Sequence, residues 1–295
     1  MSRVKNELLR VGRQTIQVTR PDKVLFPNDP ITKGELIGYY RRIAPVMLRH
    51  LRGRPIAMQR YPDGIELQGF FQKKAAAYYP DWISTATLPK QNGSVRYVIC
   101  NNAATLVYLA NQAVITPHVW LSRADKPNYP DQMIFDLDPP DGDFGAVRRA
   151  ALKLREILER GGHESFPKTT GSRGLHVLVK LNRRKNFDAV RAFARDVAGE
   201  LAGSDPRHLT TEVRKNKRAG RIFIDTARNA YGQTAAPPYA VRARAGAPVA
   251  VPLSWEEVQD PRLRPDQFNI RNIFDRLEHV GDPWKKDRTG IRIAH

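Results

Sequence analysis

The chain has 295 residues, and its 49 Lys and Arg against 30 Asp and Glu give a formal net charge of +19 at neutral pH. This excess favours a polyanionic partner, and nucleic acid fits it better than an anionic membrane surface. The 41% hydrophobic content excludes a wholly disordered chain, and the single cysteine excludes an internal disulfide framework or a zinc site with several thiolates. No apolar run approaches the roughly 20 residues of a membrane span, and the N-terminus lacks the apolar core of a signal peptide. We therefore expect a soluble, cytoplasmic protein that faces nucleic acid.

The first half of the chain predicts one long helix among short strands. Thr32 and Glu35 form a T-x-x-E capping box, and apolar side chains at helical spacing continue to Leu51. Pro45 lies inside this pattern and is expected to kink or divide the helix. Further elements are predicted as strands at 55–60, 65–71 and 95–100, a helix at 102–112 and a strand-like run at 113–120.

The second half alternates strands and helices more clearly. The predicted strands lie at 133–138, at 166–170 and 175–181, which form a hairpin, and at 221–227 and 239–245. One predicted helix runs from the cap Asp143 to Gly161–Gly162 and another from the cap Asn186 to about Leu201. Two short helices close the chain, the first with a Ser254–Glu257 capping box. Few strands lie in uninterrupted βαβ alternation, so the pattern favours an α+β fold over a doubly wound sheet. A loose join near 120–130 indicates a division within one domain, 1–295, into submodules 1–125 and 126–295.

Two acids lie on the apolar strand M-I-F-D-L-D. Asp136 and Asp138 are two residues apart, which places both on one strand face with Cα atoms about 7 Å apart. Converging carboxylates repel each other unless cations lie between them, and hard oxygen ligands suit Mg²⁺ or Mn²⁺. The alternative is a strand end whose acids cap the following turn.

A third acid, Asp225, lies in the apolar run R-I-F-I-D-T-A. A lone carboxylate there is costly unless it is paired or bound to a cation, and a salt bridge to Arg221 or Arg228 is the alternative. Three strand-borne acids fit a two-metal site, which polymerases and nucleases share. The carboxylates alone do not separate these two classes.

The segment T-T-G-S-R-G-L-H-V favours the polymerase. Gly171 and Gly174 permit a sharp turn whose backbone N–H groups could approach a phosphate. Ser172 adds a hydroxyl, and His176 on the outgoing strand could donate to a triphosphate oxygen. An ordinary glycine turn with a half-buried histidine is the alternative. The spacing of a Walker loop is absent.

The order of these motifs resembles that of a known family. D-L-D at 136–138, S-R-G-L-H at 172–176 and the strand acid Asp225 resemble the three catalytic motifs of the archaeo-eukaryotic primase superfamily. The resemblance is closer to the polymerase domain of bacterial-type DNA ligase D, the non-homologous end-joining polymerase. It covers nearly the whole chain and includes V-T-R-P-D-K-V-L-F-P, G-F-F-Q-K, D-K-P-N-Y-P-D-Q-M-I-F-D-L-D-P and P-Y-A-V-R-A-R.

The resemblance implies a primase-like fold, in which an RRM-like catalytic sheet (126–295) packs on an N-terminal α/β module (1–125) that contacts the DNA end and the template. It also implies that Asp136, Asp138 and Asp225 bind two divalent ions, Mn²⁺ or Mg²⁺. The implied nucleotide-binding residues are Ser172, His176, Arg242, Arg244 and His118. From the residues alone, the two arginines share a strand face and either fork onto phosphate or form a solvated basic edge. His118 alone would more often be structural.

Two further pairs take roles from the resemblance. Phe70 and Phe71 would stack at the template strand; because strand neighbours face opposite ways, one is expected in the core, and two core phenylalanines are the alternative. Lys23 and Lys33 would recognise the 5′-phosphate of a gap, with Lys33 at a helix N-terminus that favours an anion. Ordinary surface lysines are the alternative there.

The implied activity is template-directed gap filling and nontemplated addition at double-strand break ends, with NTP or dNTP as substrate, ribonucleotides preferred, and two-metal chemistry. DNA ends or gaps, Ku and a DNA ligase are the implied partners, without a membrane, at the nucleoid in the cytoplasm. Two positions depart from the family. Some relatives have a Lys where Gln233 or one of its neighbours stands in this chain, and Ala240 stands where Ser is frequent. A stand-alone primase, a metal nuclease and a non-catalytic end-binding module remain alternatives.

Overall fold

Antiparallel sheets form the framework of the computed structural model, which describes residues 6–140 and 142–286. The strands are β1 (Asn6–Val11), β2 (Gln14–Thr19), β3 (Val24–Phe26), β4 (Ile31–Thr32), β5 (Pro55–Arg60), β6 (Phe70–Gln72), β7 (Thr85–Pro89), β8 (Ser94–Ile99), β9 (Val114–Trp120), β10 (Gln132–Asp138), β11 (Ser165–Thr169), β12 (Leu175–Lys180), β13 (Leu209–Thr210), β14 (Ile222–Asp225) and β15 (Thr234–Ala235). The helices are α1 (Lys33–Leu51), α2 (Ala103–Asn111), α3 (Phe144–Arg160), α4 (Phe187–Ser204), α5 (Trp255–Gln259) and α6 (Ile273–Val280). The predicted α+β class is confirmed.

One large sheet, here called the second sheet because most of its strands come later in the chain, has five strands in the order β11-β12-β10-β14-β13, with β10 at its centre. Its strands pair antiparallel except for β13 with β14. Odd-numbered residues of β10, such as Phe135 and Leu137, are fully buried in the same core as Val147 and Leu154 of α3. Even-numbered residues therefore point to the opposite face, here called the cavity face.

The first sheet has the order β15-β9-β5-β8-β7, with β6 added beside β5. Most of it comes from residues 55–120, but β15 comes from residues that follow the second sheet and pairs with β9. Ala235 of β15 and Leu121 belong to the same buried cluster as Ile134 and Leu178 on the cavity face. The first sheet thus joins the second at the cavity face, and the proposed division at residue 125 stays a prediction.

Local sequence signals account for the helix starts. The predicted capping boxes at Thr32–Glu35 and Ser254–Glu257 both form, and Asp143 and Asn186 cap α3 and α4. The sequence predicts that Pro45 kinks or divides helix α1; the helix runs undivided through it, so the division is wrong and the kink stays a prediction. Buried residues on both sides of the proline, including Tyr40, Ile43 and Met47, hold the helix together despite the missing hydrogen bond. Among residues 6–140 and 142–286, no helix combines the length and apolarity needed to cross a membrane.

Two predicted strands are wrong in part or wholly. The strand predicted at 65–71 shortens to Phe70–Gln72, because Gly64 has a positive φ and Leu67 N donates to the Gly64 carbonyl in a turn. At 239–245 no strand forms beyond a single bridge between Val241 and Val249. Tyr239 has a φ of 66°, and Arg244 N donates to the Arg242 carbonyl at 2.8 Å, so the segment turns.

Candidate active site

Strand register places four polar side chains in one row across the second sheet. Asp136 is the direct cross-strand partner of His176 on β12 and of Asp225 on β14. His176 is in turn the partner of Lys168 on β11. Directly opposite residues of antiparallel strands point to the same face, so the row Lys168–His176–Asp136–Asp225 lies on the cavity face. Asp138 follows one pleat further along β10.

A cavity of about 220 Å³ opens on this face. It is lined by His118, Asp136, Asp138, Thr170, Ser172, Arg173, His176, Arg228, Thr234, Ala235, Ala236 and Arg242. The structure thus brings together six of the predicted site residues, with His118 contributed by β9 of the first sheet. Asp225 adjoins the cavity without lining it, and its Oδ1 accepts a hydrogen bond from Ala227 N at 2.7 Å.

The carboxylates of the cavity repel one another. Burial, together with the charges of Asp136 and Asp225, raises the pKa of Asp138 to about 6. Oδ1 of Asp136 is buried 3.3 Å from His176 Nε2 and makes no hydrogen bond within the described part of the chain. An orphaned buried oxygen among hard donors fits a divalent cation. No three His, Cys, Asp or Glu side chains in residues 6–140 and 142–286 already form a metal cage, so the acids would have to draw together around one.

Thr170 organises the turn between β11 and β12. Its Oγ1 accepts hydrogen bonds from the N–H groups of Ser172 and Gly174, both at 3.2 Å. Those two N–H groups donate to Thr170 in this structure, and the expectation that N–H groups of the turn approach a phosphate stays a prediction. Gly171 has a φ of 64°, and a Cβ on Gly174 would collide with the carbonyl oxygen of Leu137, so both positions require glycine. The Ser172 side chain remains at the cavity.

Cationic side chains face the acids. Arg242 Nη1 donates to the Thr170 carbonyl at 2.7 Å, which fixes its guanidinium at the cavity. Lys168 is buried, and its Nζ donates to the Ala236 carbonyl at 3.1 Å. Burial and the charge of Arg242 lower the pKa of Lys168 to about 7. Burial, aided by Arg242, also lowers the pKa of His118 to about 3, so this imidazole is neutral.

Sequence reasoning missed three cations, Lys168, Arg173 and Arg228. Lys168 could have been found from the hairpin register, which makes it the partner of His176, and Arg228 lies three residues after Asp225. In contrast, Arg244 is exposed and does not line the cavity. Because 239–245 is not a strand, the argument that Arg242 and Arg244 share a strand face is wrong. The nucleotide-binding role of Arg244 stays a prediction.

Phe70 and Phe71 are both exposed, at 46% and 55%, so the expectation that one lies in the core is wrong. The short strand β6 pairs with β5 at the edge of the first sheet. Phe71 meets His118 edge to face, with ring centroids 5.2 Å apart. The guanidinium of Arg60 lies 5.5 Å from the Phe70 centroid. Phe71 therefore lies on the surface next to the cavity wall that carries His118, and Phe70 is its exposed neighbour on β6.

Lys23 and Lys33 are neighbours at the start of helix α1. The backbone N–H groups of Lys33 and Gly34 donate to the carbonyls of Lys23 and Pro21, both at 2.8 Å. Contrary to the expectation, these helix-terminal amides are therefore not available to an anion. Lys33 Nζ is buried against Thr19 Oγ1 at 3.0 Å.

The side chains of both lysines remain cationic neighbours. Burial, followed by repulsion from Arg20 and Lys23, lowers the pKa of Lys33 to about 8. Lys23 Nζ forms an ion pair with Asp63 at 2.7 Å. The structure thus brings the two lysines together, with one buried and one paired to an acid.

Acids on the central strand of a sheet, with Arg173, Arg228 and Arg242 lining the same cavity, fit a nucleotidyltransferase, and the family comparison identifies the primase-polymerase class. A family model described as the LigD primase-polymerase domain matches residues 32–284. The multifunctional non-homologous end joining protein LigD of Mycolicibacterium smegmatis is 34% identical over 272 residues, covering 91% of this chain and 35% of that protein. The bifunctional LigD of Bacillus subtilis is 31% identical over 271 residues, covering 91% of this chain and 43% of that protein.

A solved structure agrees with these sequences. The polymerase domain of Mycobacterium tuberculosis ligase D, in complex with DNA, matches with a TM-score of 0.88 at 33% identity, covering 93% of this chain and 98% of that domain. The chain belongs to the family of LigD primase-polymerase domains. The predicted family, primase-like fold and enzyme class are confirmed, and the chain spans well under half the length of the curated relatives described above.

Proposed function

We propose that this chain extends the 3′ ends of broken or gapped DNA by nucleotidyl transfer, filling gaps on a template and adding nontemplated nucleotides, with ribonucleotides preferred. The observation that carries the proposal is one cavity lined by the acids Asp136 and Asp138 together with Arg228 and Arg242. Asp225 adjoins this cavity, and the buried Lys168 lies in the same row of side chains. An anionic triphosphate would be attracted by the cationic wall, and the acids could hold cations beside it. The relatives named as end-joining proteins, and the relative solved with DNA, support DNA ends as the substrate.

In this mechanism Asp136, Asp138 and Asp225 would hold two divalent cations, Mn²⁺ or Mg²⁺, which would supply activation of the primer 3′-hydroxyl and charge neutralisation at the pyrophosphate leaving group. Arg242 and Arg228 bind triphosphate oxygens, and the Thr170 carbonyl holds Arg242 in place for this contact. Ser172, in the turn, and His176, on β12, donate hydrogen bonds to the triphosphate of the nucleotide. His118, kept neutral by burial, contacts the nucleotide without adding charge.

Strand β6 of the first sheet and the start of α1 supply the DNA contacts of the proposal. Phe70 and Phe71 stack on unpaired template bases, since both rings are exposed and Phe71 lies beside the cavity wall. Lys23 and Lys33 recognise the 5′-phosphate at the downstream side of a gap. We further propose Ku and a DNA ligase as partners, and nucleoid DNA in the cytoplasm as the place of action.

A labelled, gapped primer-template incubated with NTP or dNTP and Mn²⁺ tests the proposal. Extension, faster with NTP, is expected; shortening would indicate a nuclease, and unchanged DNA that is nevertheless bound would indicate an end-binding module. Extension from a template without any primer would instead favour a stand-alone primase. Asp136→Asn is expected to abolish extension, while Asp196→Asn, at an exposed acid on α4, serves as the matched control.

A further inference from the structure

Tyr78 is an exposed ring connected to Phe70 through a chain of contacts. The Arg60 guanidinium that lies near the Phe70 ring also donates from Nε to the Gln112 carbonyl at 2.9 Å. The side-chain oxygen of Gln112 accepts a hydrogen bond from the Tyr78 hydroxyl at 3.3 Å. Phe70, Arg60, Gln112 and Tyr78 are therefore joined by successive contacts in one strip, here called the aromatic strip, and Phe71 is the neighbour of Phe70 on β6.

The Tyr78 ring packs against a buried ring and is otherwise largely exposed to solvent. It meets Tyr79 edge to face at 5.2 Å, and Tyr79 is buried, with its hydroxyl 3.4 Å from Met58 Sδ. Tyr79 also meets Tyr108 at 5.3 Å, so an aromatic cluster supports the outer ring. Tyr78 itself is 63% exposed. A ring that is already fixed in place loses little conformational entropy when something stacks on its open face.

The charges along the strip are positive. Lys73 and Lys74 are exposed on the loop between Phe71 and Tyr78, and residues 70–78 contain no acid. Arg96 is exposed beside the same loop, and its Nη2 donates to the Ala76 carbonyl at 3.2 Å. Aromatic rings separated by cations are typical of surfaces that bind single-stranded nucleic acid. A protein-docking surface would more often have its aromatic rings next to one another, with charges only at the rim.

We propose that Tyr78 is a second base-stacking site, at which an unpaired base of the template strand stacks after the strand has passed Phe70 and Phe71. Arg60 and the two lysines neutralise the phosphates between these rings. This inference rests on the proposed function, because Phe70 and Phe71 must first bind the template. It extends the template contact beyond the nucleotide cavity and adds affinity for long single-stranded overhangs.

The test measures binding of primer-templates whose single-stranded template overhang grows one nucleotide at a time, at one fixed salt concentration. Wild type is expected to gain affinity in a first step at the Phe70 and Phe71 site and in a second step at longer overhangs. Tyr78→Ala and Tyr78→Leu should both lose the second step, weakening long-overhang binding about fivefold, since each stacked base contributes at least that much. Tyr78→Phe keeps the ring and should keep the step.

Two controls separate stacking from other effects. Tyr129→Ala removes a partly buried ring that contacts Lys126 on a different loop, and should leave both steps intact. 2-Aminopurine placed at successive overhang positions reports stacking directly, and its quenching at the outer position should disappear in Tyr78→Leu. Equal weakening of overhang and blunt duplex by Tyr78→Ala, or an unchanged second step, would overturn the proposal.

The same series distinguishes this proposal from the proposed function. If the Phe70→Ala, Phe71→Ala double variant keeps the first step, the template role of that pair fails. If that variant loses the first step while Tyr78→Ala keeps the second, only the outer site fails. Self-association of the protein that is lost in Tyr78→Ala, without any dependence on overhang length, would show a protein-docking surface and would also overturn the proposal.

Discussion

The two sheets hold their functional side chains in different ways. In the second sheet, Asp136, His176 and Asp225 are fixed by strand register and surrounded by buried groups. In residues 6–120, which include most of the first sheet, Lys23 is paired with the exposed Asp63, and the Phe70 ring of β6 is open to solvent. The first arrangement suits chemistry, which tolerates little misplacement, and the second suits recognition of DNA ends that differ in sequence and shape. Changes in the second sheet should therefore alter rate, and changes in the first sheet should alter affinity.

The largest effect is expected from Asp138→Ala. Removal of a carboxylate that would hold the cations should lower the extension rate by about a thousandfold, while DNA affinity changes little because no DNA contact is lost. Single-turnover extension and anisotropy binding measure the two quantities. A variant that still extends at the wild-type rate would remove Asp138 from the chemistry.

Gly174→Ala is expected to cost nearly as much activity by a different cause. The added Cβ would collide with the Leu137 carbonyl and lie 2.9 Å from Asp138 Oδ1, so β10 or the turn must shift. Extension should fall at least about a hundredfold, since small displacements of reacting groups are costly. Gly203→Ala, where the added methyl group meets nothing within 4 Å, is the matched control. Full activity in Gly174→Ala would show that the register is less rigid than the comparison of the two sheets requires.

Substitution of Arg242 and substitution of Arg244 should affect nucleotide binding to different extents. Arg242 lines the cavity, whereas Arg244 is exposed, so Arg242→Ala should raise the nucleotide KM about tenfold and Arg244→Ala should raise it less. Steady-state kinetics with varied nucleotide at saturating DNA measures both. An equal or larger effect of Arg244→Ala would show that the loop rearranges when nucleotide binds.

A smaller effect is expected at Lys23 and Lys33, which come before the first sheet in the chain. Wild type should bind a gapped duplex about fivefold more tightly with a 5′-phosphate than with a 5′-hydroxyl, because a terminal phosphate carries the greater charge. Lys23→Ala with Lys33→Ala should erase that difference and spare extension of a simple primer-template. Because the pKa of Lys33 is lowered to about 8, it is charged below that pH, and the preference should decline between pH 7 and 9. A preference that persists in the double variant would place the phosphate elsewhere.

The smallest effect is expected from Asp63→Asn. Lys23 would be released from its ion pair and become available to the DNA phosphate, so the 5′-phosphate preference should rise by no more than about twofold. Titration of the gapped duplex with and without the phosphate measures this change. A loss of preference would instead mean that Asp63 is needed to orient Lys23.

Signals that depend on neighbouring residues in the chain were predictable. The capping boxes and the acids of β10 belong to this group, because each needs only a local spacing. The prediction of a strand at 239–245 failed because hydrogen bonds to a later segment set the backbone conformation there. Tyr239 N donates to Ala250 O, and Ala250 N donates to Ala240 O. Lys168 was missed for a related reason, since a buried lysine is explained only by the register that sets it beside His176.

The pairing of β15 with β9 has a consequence for synthesis of the chain. Translation delivers residues 114–120 long before residues 234–235, so the edge of β9 has unpaired backbone groups while the second sheet is being made. An exposed edge of this kind invites pairing with other chains. The wall of the cavity that carries His118 is completed only when nearly the whole domain has left the ribosome. A truncated nascent chain would therefore be inactive and also prone to aggregate.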